Sequence, residues 1–263
     1  MEIKAKILKR LKDIEIKYDV RVLLAVESGS RAWGFASPDS DYDVRFVYVH
    51  KRDWYLSLRE GRDVIEELDA DGILDVSGWD LKKALILMGR GNCAFVEWLG
   101  SPIIYYRDED FYRGINGLKD LYFRRVSAVN HYYRMAMKHD RCYLSKRGRE
   151  LKRFMYHVRG LFAAKWAIEK GTYPPVPFME LVDAELEDEG LKNELRELVR
   201  LKSQSKEHDK CIVNGALVKW ASETAEWLET WLGHLPAEKM ADFGMLDDFF
   251  LMELEKTERI WQI

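Results

Sequence analysis

Residues 27–49 read ESGSRAWGFASPDSDYDVRFVYV, and the fold turns on how this stretch divides. Just before it, Arg21 to Glu27 is rich in aliphatic residues and reads as a strand. That strand stops at Ser28-Gly29-Ser30. Ser is a good helix N-cap and Gly permits a tight turn, so a short helix is expected there. Pro38-Asp39-Ser40 is turn chemistry, and Asp41 to His50 then reads as a second strand. Asp41 and Asp43 alternate on that strand, so both carboxylates are expected on one side. Two readings are open. Either the turn holds phosphate and the carboxylates hold a metal ion, or a capped helix precedes a charged hairpin edge.

Outward from this stretch, residues 1–18 repeat apolar positions at helical spacing (Ile3, Ile7, Leu8, Leu11, Ile14). Arg62 to Leu68 and Ile73 to Gly78 flank Asp69-Ala70-Asp71-Gly72, a hairpin signal, and Asp80 reads as the cap of a helix through Leu85 and Met88. Beyond Pro102 the period becomes helical, in segments near 108–139, 148–170, 178–203, 207–232 and 245–260, with Tyr173-Pro174-Pro175-Val176-Pro177 as the clear breaker. The expectation is an α+β chain with two domains, a small domain of strands and helices over 1–107 and a helical domain over 108–263.

Composition narrows the function classes. The chain has 263 residues, 42 Lys or Arg against 45 Asp or Glu, and a net charge of −3. No apolar run is long enough for a transmembrane helix, and the amphipathic N-terminus has no signal-peptide character, so no membrane association is expected. Cys93, Cys142 and Cys211 are scattered and odd in number, which argues against a disulfide framework or zinc site and for the cytoplasm. Charge is unevenly sorted. Arg134 to Lys170 holds eleven basic residues against three acids, and Ala221 to the end holds ten acids against three bases. Such sorting permits a local anion-binding face on a chain of near-neutral balance.

Two carboxylates that close repel each other unless a cation neutralises them, and Mg²⁺ suits such a pair because it takes oxygen ligands from carboxylates and substrate phosphates. A third acid on a neighbouring strand would complete a two-metal arrangement. Asp75, in Ile73-Leu74-Asp75-Val76-Ser77, is the candidate, with Asp80 as its rival. Backbone N–H groups at Gly29-Ser30 would receive a triphosphate, with Arg31 as a further contact. Lys152, Tyr156 and Arg159 fall at i, i+4 and i+7 of a helix, where Lys and Arg suit phosphate and Tyr suits a base or sugar. Lys82 or Lys83 is a weaker triphosphate candidate, and Glu27, which closes the first strand, has no assigned role.

Gly29-Ser30 followed by Asp41-Tyr42-Asp43-Val44 resembles the signature of the DNA polymerase β superfamily of nucleotidyltransferases. Together with DVSGWDLKKAL (75–85), GNCAFVEWLGSPIIY (91–105) and LKRFMYHVRGLFAAKWA (151–167), residues 27–49 are similar to the nucleotidyltransferases called the RNA repair pathway DNA polymerase β family. The likeness spans about residues 20–180, and Asn92-Cys93 stands where the family pattern favours Asn-Pro. The resemblance implies a small mixed sheet with helices on one side, followed by an all-helical C-terminal domain that closes over the nucleotide. It implies transfer of NMP from an NTP to a hydroxyl, with release of pyrophosphate and two Mg²⁺ or Mn²⁺ ions. Asp41 and Asp43 would bind both metals, Asp75 would be the third ligand and a proton acceptor, and Gly29 and Ser30 would hold the triphosphate. An RNA end is the expected acceptor. Three alternatives stand beside it: transfer to a protein or small molecule, a ribonuclease built on Arg125…His131 or Arg134…His139, and a non-catalytic nucleotide-binding module.

Overall fold

The structure is a computed structural model that describes residues 2–59, 61–69, 72–140, 149–206, 210–234 and 241–261. Helix α1 (Glu2–Tyr18) carries Ile7, Leu11 and Ile14 at i, i+4 and i+7, and all three are buried. Asp19 then turns the chain at φ 49°, a left-handed conformation that Asp tolerates better than most side chains. Strand β1 (Val20–Glu27) leads into the short helix α2 (Gly29–Ala32), and β2 (Tyr42–His50) returns antiparallel to β1. After α3 (Arg52–Tyr55), the hairpin of β3 (Val64–Leu68) and β4 (Leu74–Asp80) forms where its turn signal stands. Ala70 and Asp71 of that turn lie outside the described residues, and Gly72 has φ 68°, a conformation that favours glycine.

Strand β4 pairs parallel to β2, which places Asp75 directly beside Asp43. Helices α4 (Leu81–Gly89) and α5 (Cys93–Leu99) lead to β5 (Ile104–Arg107), which joins the free edge of β1 and completes the order β3-β4-β2-β1-β5. Period-two alternation gives the sheet two apolar faces. Val44, Phe46 and Tyr48 of β2 pack under α1, while Val47 and Val49 face Leu81, Leu85, Phe95 and Leu99 of α4 and α5. The helices on that second face match the one-sided cover implied by the resemblance, and α1 adds a cover on the opposite face. Close packing is strict where β2 meets β4: a Cβ on Gly78 would lie 2.3 Å from the Phe46 ring.

The helical part begins with α6 (Glu109–Leu118), a 3-10 turn at Lys119–Tyr122 and α7 (Arg125–Asp140), so the expected segment 108–139 is two helices. A two-residue strand β6 (Arg149–Glu150) precedes α8 (Leu151–Glu169) and pairs with β7 (Lys210–Cys211). Segment 178–203 likewise divides, into α9 (Phe178–Glu185) and α10 (Glu189–Gln204), because Asp188 accepts the N–H groups of Gly190 and Leu191 and caps a new start. Helices α11 (Gly215–Leu232) and α12 (Gly244–Trp261) follow. α7 and α8 approach so closely that a Cβ on Gly160 would lie 2.8 Å from the Ala136 backbone nitrogen. α6 and α12 return to the sheet, where Phe111, Ile115, Leu246 and Phe249 share the core of α4 and α5.

One group in the helical part makes stability depend on pH. The Glu185 side chain is fully buried, neither oxygen has a hydrogen-bond partner, and Lys165 Nζ stands 3.7 Å away. Burial pushes its carboxyl from 4.5 up to about 8, against the smaller opposing pull of Lys165. Between those two values the folded chain binds more protons than the unfolded chain, so stability falls as pH rises through the window. Glu185→Gln removes the titration. It should be more stable than wild type at pH 8 by about 2–4 kcal/mol and nearly equal at pH 4.5. Urea midpoints measured across that range check this, and parallel curves for the two proteins would exclude it.

Candidate active site

The site is built where β1 hands over to α2. Ser28 is extended, at φ −124° and ψ −172°, and its N–H donates to the Asp43 carbonyl at 2.8 Å. Gly29 takes φ 60°, and a Cβ there would lie 2.4 Å from Asp43 Oδ2. The bare glycine therefore lets the Asp43 carboxylate lie directly against the turn. With only four residues, α2 offers backbone N–H groups but little macrodipole. Ser30 is buried beneath this turn. Arg31 is spent on the chain that returns: Nε donates to the Asp41 carbonyl at 2.9 Å, NH2 to the Ser40 carbonyl at 2.5 Å, and the guanidinium lies 3.8 Å from the Tyr42 ring. It fixes the backbone that carries Asp41.

Asp41 lies one residue before β2 and is exposed, while Asp43 is on β2 and half-buried. Asp43 and Asp75 are partners in the β2–β4 register, and Arg45 joins them. Its NH2 donates to Asp43 Oδ1 at 2.9 Å and to Asp75 Oδ2 at 2.8 Å, and its NH1 donates to the Asp75 carbonyl at 3.2 Å. Burial raises the Asp43 carboxyl, Arg45 pulls it back, and the charges of Asp41 and Asp75 push it up again. Lys152, at the start of α8, lowers it, so this helix brings positive charge to the acids. Glu27 supports from below: Oε1 accepts the Asp43 N–H at 2.8 Å, and Tyr105 donates its hydroxyl to Oε2. Burial raises the Glu27 carboxyl above its ordinary range.

Asp80 belongs elsewhere. At the opposite end of β4 it caps α4, accepting the Lys82 N–H at 2.8 Å and the Tyr55 hydroxyl at 2.6 Å. Burial lifts its carboxyl to about 6. Lys83 is at that same end, paired with Asp63 at 3.0 Å. The structure thus brings Asp75, not Asp80, to Asp43, and leaves Lys83 apart from the acids.

Of the three α8 residues, Lys152 is the one whose charge reaches Asp43, and it stands 5.8 Å from the Tyr156 ring centroid. Tyr156 packs edge-on to Trp33 at 4.9 Å and meets Phe35 and His139 as well. Arg159 is fully buried, with its NH2 3.0 Å from Glu97 Oε1 and its guanidinium 4.0 Å from the Trp33 ring. Arg159 therefore clamps α5 to the segment after the turn and presents no surface to a ligand. Two further ties hold that segment: Phe178 N–H donates to the Trp33 carbonyl at 2.9 Å, and buried Lys202 of α10 bonds Ser37.

Among the described residues, no three acidic, His or Cys side chains converge into a ready cation cage. Arg45 stands between Asp43 and Asp75 and supplies the positive charge those carboxylates need. The donor set suits a hard divalent ion: all-oxygen, mutually repelling and cradled by a Cα that bears no side chain. Sequence reasoning passed over Arg45, although its place two residues after Asp43 puts it on the same face of the strand. Glu97 and Lys202 carried no signal, because each meets its partner across a long sequence separation.

A family model described as the RNA repair pathway DNA polymerase beta family matches residues 3–252. The protein YcgL of Bacillus subtilis (strain 168), described as uncharacterized, is 36% identical over 259 residues, which is 98% of each chain. A solved nucleotidyltransferase-like protein from Exiguobacterium sibiricum 255-15 is a distant likeness. It is 13% identical, covers 84% of this chain and 73% of its own, and has a TM-score of 0.32.

Proposed function

This chain belongs to the RNA repair pathway DNA polymerase beta family, and we propose that it is a Mg²⁺-dependent nucleotidyltransferase that adds NMP from an NTP to an RNA end. The observation that carries the proposal is the pairing of Asp43 with Asp75 across β2 and β4, set against the side-chain-free Gly29. Asp41, Asp43 and Asp75 would hold the metal. When bound, it would neutralise charge on the attacking and leaving oxygens of an in-line displacement.

The chain's own residues do the rest. Gly29 and Ser30 offer backbone N–H groups to the triphosphate, and Lys152 adds a positive charge beside it. Trp33 and Phe35 are buried and pack with Tyr156 behind the turn, where the Arg159 guanidinium lies against Trp33 and Lys202 bonds Ser37. The acceptor hydroxyl attacks the α-phosphorus, its proton passes to the Asp75 carboxylate, and the bond to the β-phosphate oxygen breaks to release pyrophosphate. Arg45 bonds both Asp43 and Asp75 and holds the two carboxylates together. Among the described residues no helix is long and apolar enough to cross a membrane.

The test is incubation with each α-labelled NTP, Mg²⁺ or Mn²⁺, and a pool of small RNAs. Label on RNA is expected from wild type and not from Asp41→Asn. Metal-dependent NTP binding with no labelled RNA would overturn the acceptor and turn the search to protein or small-molecule hydroxyls.

A further inference from the structure

A second polar cleft of about 410 Å³ lies between the α4–α5 turn and α7, outside the acid site. Its α7 wall is Ser127, Asn130, His131 and Arg134, which fall at i, i+3, i+4 and i+7 and so share one face of that helix. Arg90 and Asn92 come from the opposite wall. Among the described residues, neither Arg90 nor Arg134 makes an ion pair, and both are exposed. Among the described residues, no carboxylate lines this cleft. The other clefts described here all include acids: Asp63 and Asp80 beside Lys83, Asp120 and Glu180 beside Lys119, and Asp110 and Glu253 beside Lys256.

We propose that this cleft binds the phosphodiester backbone of the acceptor RNA, a reading that rests on the nucleotidyl transfer proposed above. Two guanidiniums with no ion pair among the described residues give charge and forked donors that match phosphate oxygens. The Ser127 hydroxyl and the Asn92 amide nitrogen add neutral donors, while Asn130 Nδ2 already donates one N–H to the Val126 carbonyl at 3.0 Å and keeps the other. Among the described lining residues none is acidic, and Glu97 lies behind the lining, where its charge reaches His131 and Cys93. Burial holds the His131 imidazole below its ordinary value, against the opposing pull of Glu97. The cleft is joined to the acid site through packing. Cys93 on its floor shares a core with Trp33 and Phe35, and α7 meets α8 where His139 touches Tyr156. Phosphate contacts there would fix the strand's position without reading its sequence.

The test uses the full chain and a 5′-labelled single-stranded RNA, followed by fluorescence anisotropy across a salt series, beside NTP binding and NMP transfer. The double variant Arg90→Ala/Arg134→Ala should bind RNA about 10-fold or more weakly, and its log K against log salt slope should be shallower by roughly 1.4, for two lost phosphate contacts. NTP affinity should be unchanged. Asn130→Asp, which places a carboxylate in the cleft, should weaken RNA binding as well, and circular dichroism checks that both variants fold. Equal RNA affinity and slope in wild type and variants would overturn the inference, as would a parallel loss of NTP binding, which would make the cleft part of the nucleotide site. Failure of the parent reading looks different: wild type would bind RNA through Arg90 and Arg134 but transfer no label.

Discussion

Asp43→Asn should abolish NMP transfer, lowering kcat/KM by about 10³-fold or more, while the melting temperature stays at or above that of wild type. The change is isosteric, so Asn keeps the place against Gly29 and the backbone bond to Glu27. What it removes is the charge at the centre of the acids. Metal-mediated stabilisation of a phosphoryl transition state is worth several kcal/mol, and each 1.36 kcal/mol is a factor of ten in rate. Stability should not suffer, because burial and the charges of Asp41 and Asp75 already disfavour the ionised Asp43, and Arg45 keeps Asp75 as a partner. Transfer assays run beside thermal melts and Mn²⁺ titration check this. A folded Asp43→Asn protein that transfers NMP at the wild-type rate would end the metal assignment.

Gly29→Ala should be nearly as damaging by a different route. The residue is at φ 60°, where a Cβ costs roughly 1–2 kcal/mol, and that Cβ would lie 2.4 Å from Asp43 Oδ2. The carboxylate has to move, and it cannot move without disturbing its bond to Arg45. A misplacement on the order of 1 Å at a reacting centre costs about 10²-fold in rate. Gly34→Ala is the control, since Gly34 has φ 85° but open space where its Cβ would stand. Both variants should lose about 1–2 kcal/mol of stability to backbone strain, and only Gly29→Ala should lose transfer. Equal losses of transfer would mean that the turn's conformation matters and its contact with Asp43 does not.

The sequence by itself determined what is local. The spacing of Ile7, Leu11 and Ile14 made α1, Ser28-Gly29-Ser30 made the turn, Asp69 to Gly72 made the hairpin and Asp80 made the cap of α4, because each depends on neighbours within a few residues. Asp43 falls on β2 as its pattern predicted, but the strand begins at Tyr42 and leaves Asp41 one residue outside it. Only the tertiary structure decided which third acid stands beside them. Asp75 and Asp80 occupy two ends of one strand, and the register of β4 on β2 separates them. Tertiary packing also took Arg159 out of the helical face it shares with Lys152 and Tyr156. A helix shows its period in sequence, but burial depends on which element lies against it, here Glu97 of α5 and the Trp33 ring. Arg45 shows the same limit. Its face could be read from the strand, but its two carboxylate partners exist only once β2 and β4 lie side by side.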